Sequence, residues 1–299
     1  MMWVQTIVYI GLPLFLIIRL MKTDTSQRLW FIEWLSTAMF VAFIFVLGPW
    51  HIFIYYLRYV WVVFFIIVSI LSFRRIRKLP VKGPEKDKGY KFSMTVSIVL
   101  AVYFGYLAAG GLSGYAVKSE HESVELEFPM EEGVFAVGHG GSDPSINYHN
   151  AHLSQQYAYD ILQLNGFGLR AFGITPSNLD QYKIYEAALY SPCSGEVLEA
   201  VDEYEDISPL QSESDPEEPA GNHVILSCED TEIHIAHMKP GTVEVEQGDV
   251  VNTGAQLGEV GNTGNTTEPH LHIHAEREGE GVPITFNDRF LKRNSLVFN

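Results

Sequence analysis

The sequence predicts a chain in two parts, with an N-terminal all-α transmembrane region of four helices followed by a C-terminal mostly-β domain. Charge is divided unevenly between them. Residues 1–114 contain 12 Lys/Arg and 4 Asp/Glu, whereas residues 115–299 contain the remaining 8 Lys/Arg and 32 Asp/Glu. Hydropathy changes at the same place, because long apolar runs give way to short alternating runs separated by Gly, Pro and Asn. Such asymmetry indicates two parts in different surroundings.

Four apolar runs make up most of the first part, and each is close to the ~20 residues that a helix needs to cross a bilayer. Trp and Tyr gather near their ends, as is typical of interfacial anchors. Glu33 and Arg58 lie near expected helix ends, where snorkelling explains them more simply than a transport pathway does. We therefore expect an anchor in the lipid bilayer. The runs are Trp3–Leu20, Leu29–Leu47, Ile52–Phe73 and Ser93–Gly114.

Basic residues indicate how these helices are oriented. The third connection begins with Arg74–Lys78 and the first contains Arg19, Lys22 and Arg28, whereas residues 48–51 contain no Lys or Arg. The positive-inside rule then places the first and third connections in the cytoplasm. No basic residue precedes the first run, so we expect a retained helix and not a cleaved signal peptide. The prediction is a multi-pass protein of the cytoplasmic membrane with its N-terminus and C-terminal domain on the extracytoplasmic side.

The second part is expected to contain a linker with the first strand at residues 115–130 and a β domain at residues 131–299. Alternating apolar residues between turns favour a two-sheet, mostly antiparallel fold. The acidic balance excludes nucleic acid as an expected partner, since phosphate binding needs a basic face. Asp202–Ala220, rich in Asp and Glu, is expected to be a solvated loop. The expected strands are Ser123–Phe128, Gly133–Val137, Tyr157–Leu164, Gly195–Val201, His223–Cys228, Glu232–His237, Thr242–Val245, Gln256–Val260 and His270–Glu276.

Both cysteines, Cys193 and Cys228, lie in the second part. An extracytoplasmic domain would permit one disulfide between them, and two free thiols are the alternative. Two thiols are too few for a Cys-rich zinc site.

Ten of the 11 histidines follow residue 120, and several carry metal-ligand spacing. On a strand, His270, His272 and His274 share one face. Asp160 lies in an apolar run, where a carboxylate is costly unless it is paired or bound to metal. One His from the pair His149 and His152, together with Asp160 and His272, would supply the three ligands of a catalytic zinc site. His237 and His270 would remain as free imidazoles beside it.

Four segments then resemble, in the same order, the motifs of the M23 family of zinc metallopeptidases, which includes the LytM-type and lysostaphin-like cell-wall endopeptidases. They are Asn147–His149 with Gln156–Ile161, Ser191–Val197, Ile235–Met238, and Gly248–Gly264 with Pro269–His272.

The resemblance implies that His149, Asp160 and His272 bind Zn²⁺ and that His237 and His270 are catalytic. It also implies hydrolysis of peptide bonds in peptidoglycan cross-links, with peptidoglycan peptides as substrate and any regulatory membrane partner unknown. Two departures from the family pattern stand out. Ten residues separate His149 from Asp160, which leaves His152 as a rival ligand, and His274 takes a place where the family commonly has Glu. We interpret His139, His223 and His234 as structural.

Two other classes of function compete with this interpretation. A biotinyl- or lipoyl-like carrier needs a modifiable Lys in its hairpin, and residues 243–277 contain none. A LytM-like regulator or wall-binding module without hydrolysis remains the alternative, although such domains have typically lost ligands and every expected ligand type is present here.

Overall fold

The computed structural model describes residues 2–209 and 218–299. The chain divides into two units: one extends to Trp50 and includes Tyr56–Leu112, and the other comprises His51–Tyr55 and Ser113–Asn299.

Four helices in the described chain are long and apolar enough to cross a membrane, as predicted, and their bounds are Trp3–Leu20, Gln27–Leu47, Leu57–Ile76 and Lys88–Ser113. Hydropathy locates these helices, but capping sets their ends. The second helix begins beside Ser26, whose Oγ accepts a hydrogen bond from Leu29 N at 3.2 Å. The fourth begins after Asp87, whose Oδ1 accepts from Tyr90 N at 2.7 Å. Both are N-cap interactions, which satisfy donors that a helix leaves free at its start.

The third helix begins later than predicted, at Leu57 instead of Ile52. The residues before it belong to the second unit, where Tyr55 N donates to Gly168 O at 2.9 Å and Tyr55 Oη to Asn294 O at 2.6 Å. Glu33 also differs from expectation. It is buried and accepts from Arg19 Nη2 at 2.6 Å, so pairing and not snorkelling accommodates its charge.

The second unit is mostly β, as predicted, but its described residues form three sheets where we expected two. The strands are β1 Val124–Glu125, β2 Val134–His139, β3 Tyr159–Leu164, β4 Ala188–Tyr190, β5 Gly195–Val201, β6 Asn222–Cys228, β7 Thr231–Met238, β8 Val250–Val251, β9 Gln256–Glu259, β10 Leu271–Arg277, β11 Glu280–Val282, β12 Ile284–Phe286, β13 Arg289–Phe290 and β14 Leu296–Phe298. The nine-stranded sheet has the order β14-β2-β3-β10-β7-β6-β5-β8, with β11 beside β10. The smaller sheets are β1-β12-β13 and β4-β9.

Pairing is antiparallel except between β1 and β12. The sheet of β1, β12 and β13 was not predicted, because its strands are only two or three residues long and β1 lies far from the other two in sequence. An alternating pattern carries no information about such partners.

One predicted strand, Thr242–Val245, is wrong. The backbone N–H groups of Gly241 and Val243 donate to the Asp202 carboxylate at 2.8 and 3.3 Å. A side chain thus satisfies donors that a strand would have used, and the segment forms an irregular loop. Residues 210–217, in the middle of the acidic insertion, lie outside the described residues.

The core of the β unit lies on one side of the central strands. Ile161 of β3, Ile235 of β7 and Ile273 of β10 are fully buried there. Because side chains alternate along a strand, the neighbours of these residues point to the opposite side. A disulfide joins Cys193 and Cys228, whose Cα atoms lie 6.2 Å apart. It links the turn before β5 to the end of β6.

Candidate metal centre

Strand register brings Asp160 and His272 together. The central strand β10 pairs with β3 so that His272 lies directly opposite Asp160. Both side chains therefore leave the sheet on the face away from the core. Nδ1 of His272 is 3.0 Å from Asp160 Oδ1.

A single turn of 3₁₀ helix, Tyr148–Ala151, supplies His149 to the same carboxylate. Its Nε2 lies 3.0 Å from Oδ1 and 3.1 Å from Oδ2 of Asp160. The buried amide of Asn147 fixes this turn by donating to Gly141 O at 3.0 Å and to Ala158 O at 3.1 Å. His149 therefore lies beside Asp160, although ten residues separate the two in the sequence. His152 is exposed and lies outside this group.

The donor set fits zinc. One ligand atom each from His149, Asp160 and His272 lies within 4.8 Å of the other two, and all three residues are buried. Two imidazoles and a carboxylate form a His/Asp set of the kind that a catalytic zinc ion uses. Burial opposes the charge of Asp160, yet His270 and His149 beside it hold the pKa of this carboxyl well below its ordinary value. A buried anion surrounded by imidazoles is suited to a cation.

His237 and His270 direct one nitrogen each toward this group. Nδ1 of His237 donates to Thr263 O at 2.8 Å, and Nδ1 of His270 donates to Glu268 O at 2.8 Å. These bonds leave Nε2 of both rings without the proton in the neutral form. Nε2 of His270 is buried, makes no hydrogen bond and lies 3.4 Å from Asp160 Oδ1.

His237, His270 and His272 also lie close enough together to hold an ion. The set with Asp160 is the better match, because a carboxylate offsets part of the ion's charge and three neutral rings do not.

The backbone at His237 is in the left-handed region, with φ of 63°. Non-glycine residues rarely adopt this conformation, and it costs of order 1–3 kcal/mol. Hydrogen bonds hold it in place: His237 N donates to Ala220 O at 3.0 Å, and Gly261 N donates to His237 O at 3.0 Å. The ring of His237 is turned toward His270, with the ring centres 4.9 Å apart.

Other histidines near the site, among them His139, His223 and His274, differ in their contacts. Nη2 of Arg293 lies 3.0 Å from His139 Nδ1, and burial lowers the pKa of His139 to about 3. Nδ1 of His223 donates to Gly221 O at 2.7 Å. His274 Nδ1 lies 3.0 Å from His272 Nε2, so His274 contacts a predicted metal ligand directly.

A cleft of about 410 Å³ opens over these residues. The residues that line it include Tyr148, His149, Pro219, His237, Asn265, His272, His274 and Glu276.

Arg170 is a supporting residue that the sequence did not reveal. Its guanidinium is buried and donates to both carboxylate oxygens of Glu268, at 2.6 to 2.9 Å. The carbonyl of Glu268 in turn accepts from His270. Glu268 precedes Pro269 and the H-x-H segment, which was an available signal for one partner, whereas no pattern in the sequence marks Arg170.

A mostly-β unit whose cleft gathers two imidazoles, one buried carboxylate and two further imidazoles has the donor chemistry of a metal-dependent hydrolase. The sequence model of peptidase family M23 matches residues 183–284. The recognition made from the motifs is thereby confirmed for this part of the chain. The matched segment contains His237, His270 and His272, whereas His149 and Asp160 lie before it.

Three solved structures are similar to parts of this chain. A zinc-containing peptidase from Vibrio cholerae is 22% identical over 34% of this chain and 26% of its own, with a TM-score of 0.26. A peptidase M23 from Pseudomonas aeruginosa is 19% identical over 58% of this chain and 55% of its own, with a TM-score of 0.31. The catalytic domain of lysostaphin from Staphylococcus simulans is 23% identical over 35% of this chain and 75% of its own, with a TM-score of 0.21. This chain thus spans only about a quarter to a half of the first two.

Proposed function

We propose that this protein is a membrane-anchored zinc metalloendopeptidase that hydrolyses peptide bonds of peptidoglycan cross-links outside the cytoplasmic membrane. The observation that carries the proposal is the carboxylate of Asp160, held between His149 and His272 with His270 beside it. The rings of His149, His237 and His272 line the cleft. The family match over residues 183–284 supports peptidase activity. By the same resemblance, the unit is a LytM-like fold.

In this proposal His149, Asp160 and His272 hold the ion. Zinc bound there would polarise a peptide carbonyl and lower the pKa of water to about 7. His237 and His270 act on the reacting atoms through Nε2, because their Nδ1 protons are engaged by backbone carbonyls. One Nε2 takes a proton from the attacking water and returns it to the leaving amine. The other ring, when it is protonated on both nitrogens, donates from Nε2 to the oxygen on which negative charge develops.

The location of the active unit follows from the helices and their connections. Basic residues fill the first and third connections, which favours a cytoplasmic side for both. Residues 51–55 connect the second and third helices and are grouped with the β unit, which supports a common side for that connection and residues 113–299. Lipid bilayer and peptidoglycan peptides are the proposed partners, nucleic acid is not one, and a regulatory membrane partner is compatible with the anchor.

Zinc content and hydrolysis should be measured together on the full chain in detergent. Wild type is expected to contain about one tightly bound zinc and to release soluble peptides from purified cell walls. His272→Ala should lose both properties, while His121→Ala, outside the cleft, should keep both. Zinc binding without hydrolysis in the wild type would favour the alternative, a LytM-like regulator or cell-wall binding module. Absence of tightly bound zinc in the wild type would overturn the site.

A further inference from the structure

A second group of metal-binding side chains, His234, His274 and Glu276, lies beside the proposed zinc site. Nε2 of His234 is 2.9 Å from Oε1 of Glu276. The rings of His234 and His274 are stacked with their centres 4.3 Å apart. One ligand atom from each of the three residues lies within 4.8 Å of the other two. None of these residues has a role in the hydrolysis proposed above.

The sheet holds this group in place. His274 of β10 lies directly opposite His234 of β7. Glu276 follows His274 by two residues and therefore shares its face of the strand. All three residues line the same cleft as His149, His237 and His272. Two neighbouring central strands thus present a set of donors to a space that solvent can enter.

His234 provides an independent indication of an absent ligand. Its Nε2 is buried and makes no hydrogen bond, although Glu276 Oε1 is only 2.9 Å away. A nitrogen and an oxygen side by side, at contact distance but without hydrogen-bond alignment, are arranged as two donors that converge on a third atom. Burial lowers the pKa of His234 to about 4, so its ring is neutral at pH 7 and has a lone pair to offer.

We propose that His234, His274 and Glu276 form a second site for a divalent transition-metal ion of the zinc type. Two imidazoles with one carboxylate suit zinc, whereas magnesium and calcium require sets made mainly of oxygen. The site shares no ligand with the first, which uses His149, Asp160 and His272.

The two sites are coupled through one ring contact. His272 faces Asp160 with Nδ1 and His274 with Nε2. When Nδ1 of His272 binds an ion, its Nε2 carries the proton and donates to Nδ1 of His274. An ion on Nε2 of His274 requires that ring's proton on Nδ1, which can then no longer accept. The second ion therefore binds more weakly than the first, and by linkage each weakens the other.

Binding also has a conformational consequence. The rings of His234 and His274 are inclined by only 13° to each other. The lone pair of an imidazole lies in the plane of its ring, so two nearly parallel stacked rings cannot both aim at one ion. One ring must turn out of the stack when the ion binds.

The test is a zinc titration of the tag-free full chain in detergent after its metal has been removed with a chelator. The bound metal is counted by mass spectrometry after desalting and by competition with a chromophoric chelator. Wild type is expected to bind two zinc ions, the second at least ~10-fold more weakly. His234→Ala and Glu276→Gln should each bind one. His121→Ala removes a histidine that pairs with Glu280 at 3.1 Å outside the cleft, and it should bind two.

A single ion in the wild type at saturating zinc would overturn the proposal. So would two ions in both His234→Ala and Glu276→Gln, provided that their thermal unfolding matches that of wild type. Glu276→Gln keeps the shape of the side chain, so loss of the weak ion in this variant does not reflect misfolding. Asp160→Asn distinguishes the first site from the second, because this variant should lose the tightly bound ion and keep the weakly bound one. If it loses neither ion, the assignment of the first site is wrong and the second site is unaffected.

Discussion

The two clusters on the outward face of β10 are only two residues apart, yet their carboxylates are in different environments. Asp160, 9% exposed, has imidazole nitrogens of His149, His270 and His272 within 3.4 Å of its Oδ1. Among the described residues, Glu276, whose side chain is 17% exposed, pairs with His234 at 2.9 Å. The pKa of Asp160 is lowered despite burial, because surrounding imidazoles stabilise its charge, whereas burial raises the pKa of Glu276.

The difference shows that neighbouring positions of one strand can face carboxylates in unequal environments. What distinguishes them is the number of groups that hold the carboxylate in its charged form before an ion arrives. A preorganised anion binds a cation more tightly, since less charge has to be created on binding. We therefore expect the cluster around Asp160 to hold the tight ion.

The largest effect is expected from a substitution at the centre of the cluster around Asp160. Asp160→Asn keeps the shape of the side chain but removes its charge. Zinc affinity should fall by more than ~100-fold, because even the loss of a group that supports a ligand costs 10–100-fold. Peptide release from cell walls should fall to background. Equilibrium dialysis against buffered zinc measures the first quantity, and unchanged tight binding would contradict the central place of Asp160.

A substitution of His270 distinguishes zinc binding from peptide hydrolysis. His270→Gln removes an imidazole that contacts Asp160 but is not assigned as a ligand. Peptide release should fall by roughly 100- to 10,000-fold, the usual contribution of a general acid or base. Tightly bound zinc should stay near one equivalent, as measured by metal analysis of the same preparation. If zinc and hydrolysis disappear together, His270 is a ligand and the set of His237, His270 and His272 becomes the better assignment.

Local patterns in the sequence predict the strand that carries both clusters. Alternation from His270 onward places His272 and His274 on one face, because this property depends only on consecutive residues. The membrane helices were predictable for the same reason, since hydropathy over about 20 residues is local.

Properties that depend on distant partners were not predictable in this way. The approach of His149 to Asp160 depends on the amide of Asn147, which bonds to backbone carbonyls on both sides of the loop. The parallel pairing of Val124 with Ile284 joins residues that no pattern connects. The left-handed backbone at His237 is maintained by contacts with residues 220 and 261. Residue chemistry alone left His149 and His152 as alternative partners of Asp160, and only the resemblance to a family favoured His149.

The clusters also differ in the residues that hold them in place. Beside the first cluster, Arg170 pairs with Glu268, whose carbonyl accepts a hydrogen bond from His270. Arg170→Met would leave the Glu268 carboxylate without its bidentate partner, where the two side chains are 4% and 15% exposed. Removing one partner of a buried pair costs about 3–5 kcal/mol, so we expect a loss of this size in the free energy of unfolding. Pulse proteolysis in urea measures it. Lys239→Met, at the more exposed pair with Glu186, should cost less than about 1 kcal/mol.

The smallest effect is expected in the pH dependence of the unfolding free energy, and it tests the protonation of His234 in the second cluster. In the metal-free chain burial lowers the pKa of this ring from 6.5 to about 4. The unfolded chain therefore binds a proton that the folded chain refuses between pH 6.5 and 4. The contribution to stability is fully present above pH 6.5 and is lost as the pH falls through this window. From pH 7 to pH 5 the loss should be about 2 kcal/mol for this one group.

His234→Gln should reduce the decline in unfolding free energy over that interval by the same amount, measured by pulse proteolysis in urea with chelator present. Between pH 7 and 9 the two proteins should show parallel stability curves. An equal decline in both proteins below pH 6.5 would mean that folding does not lower the pKa of His234, and this would contradict the burial of a neutral ring in the second cluster.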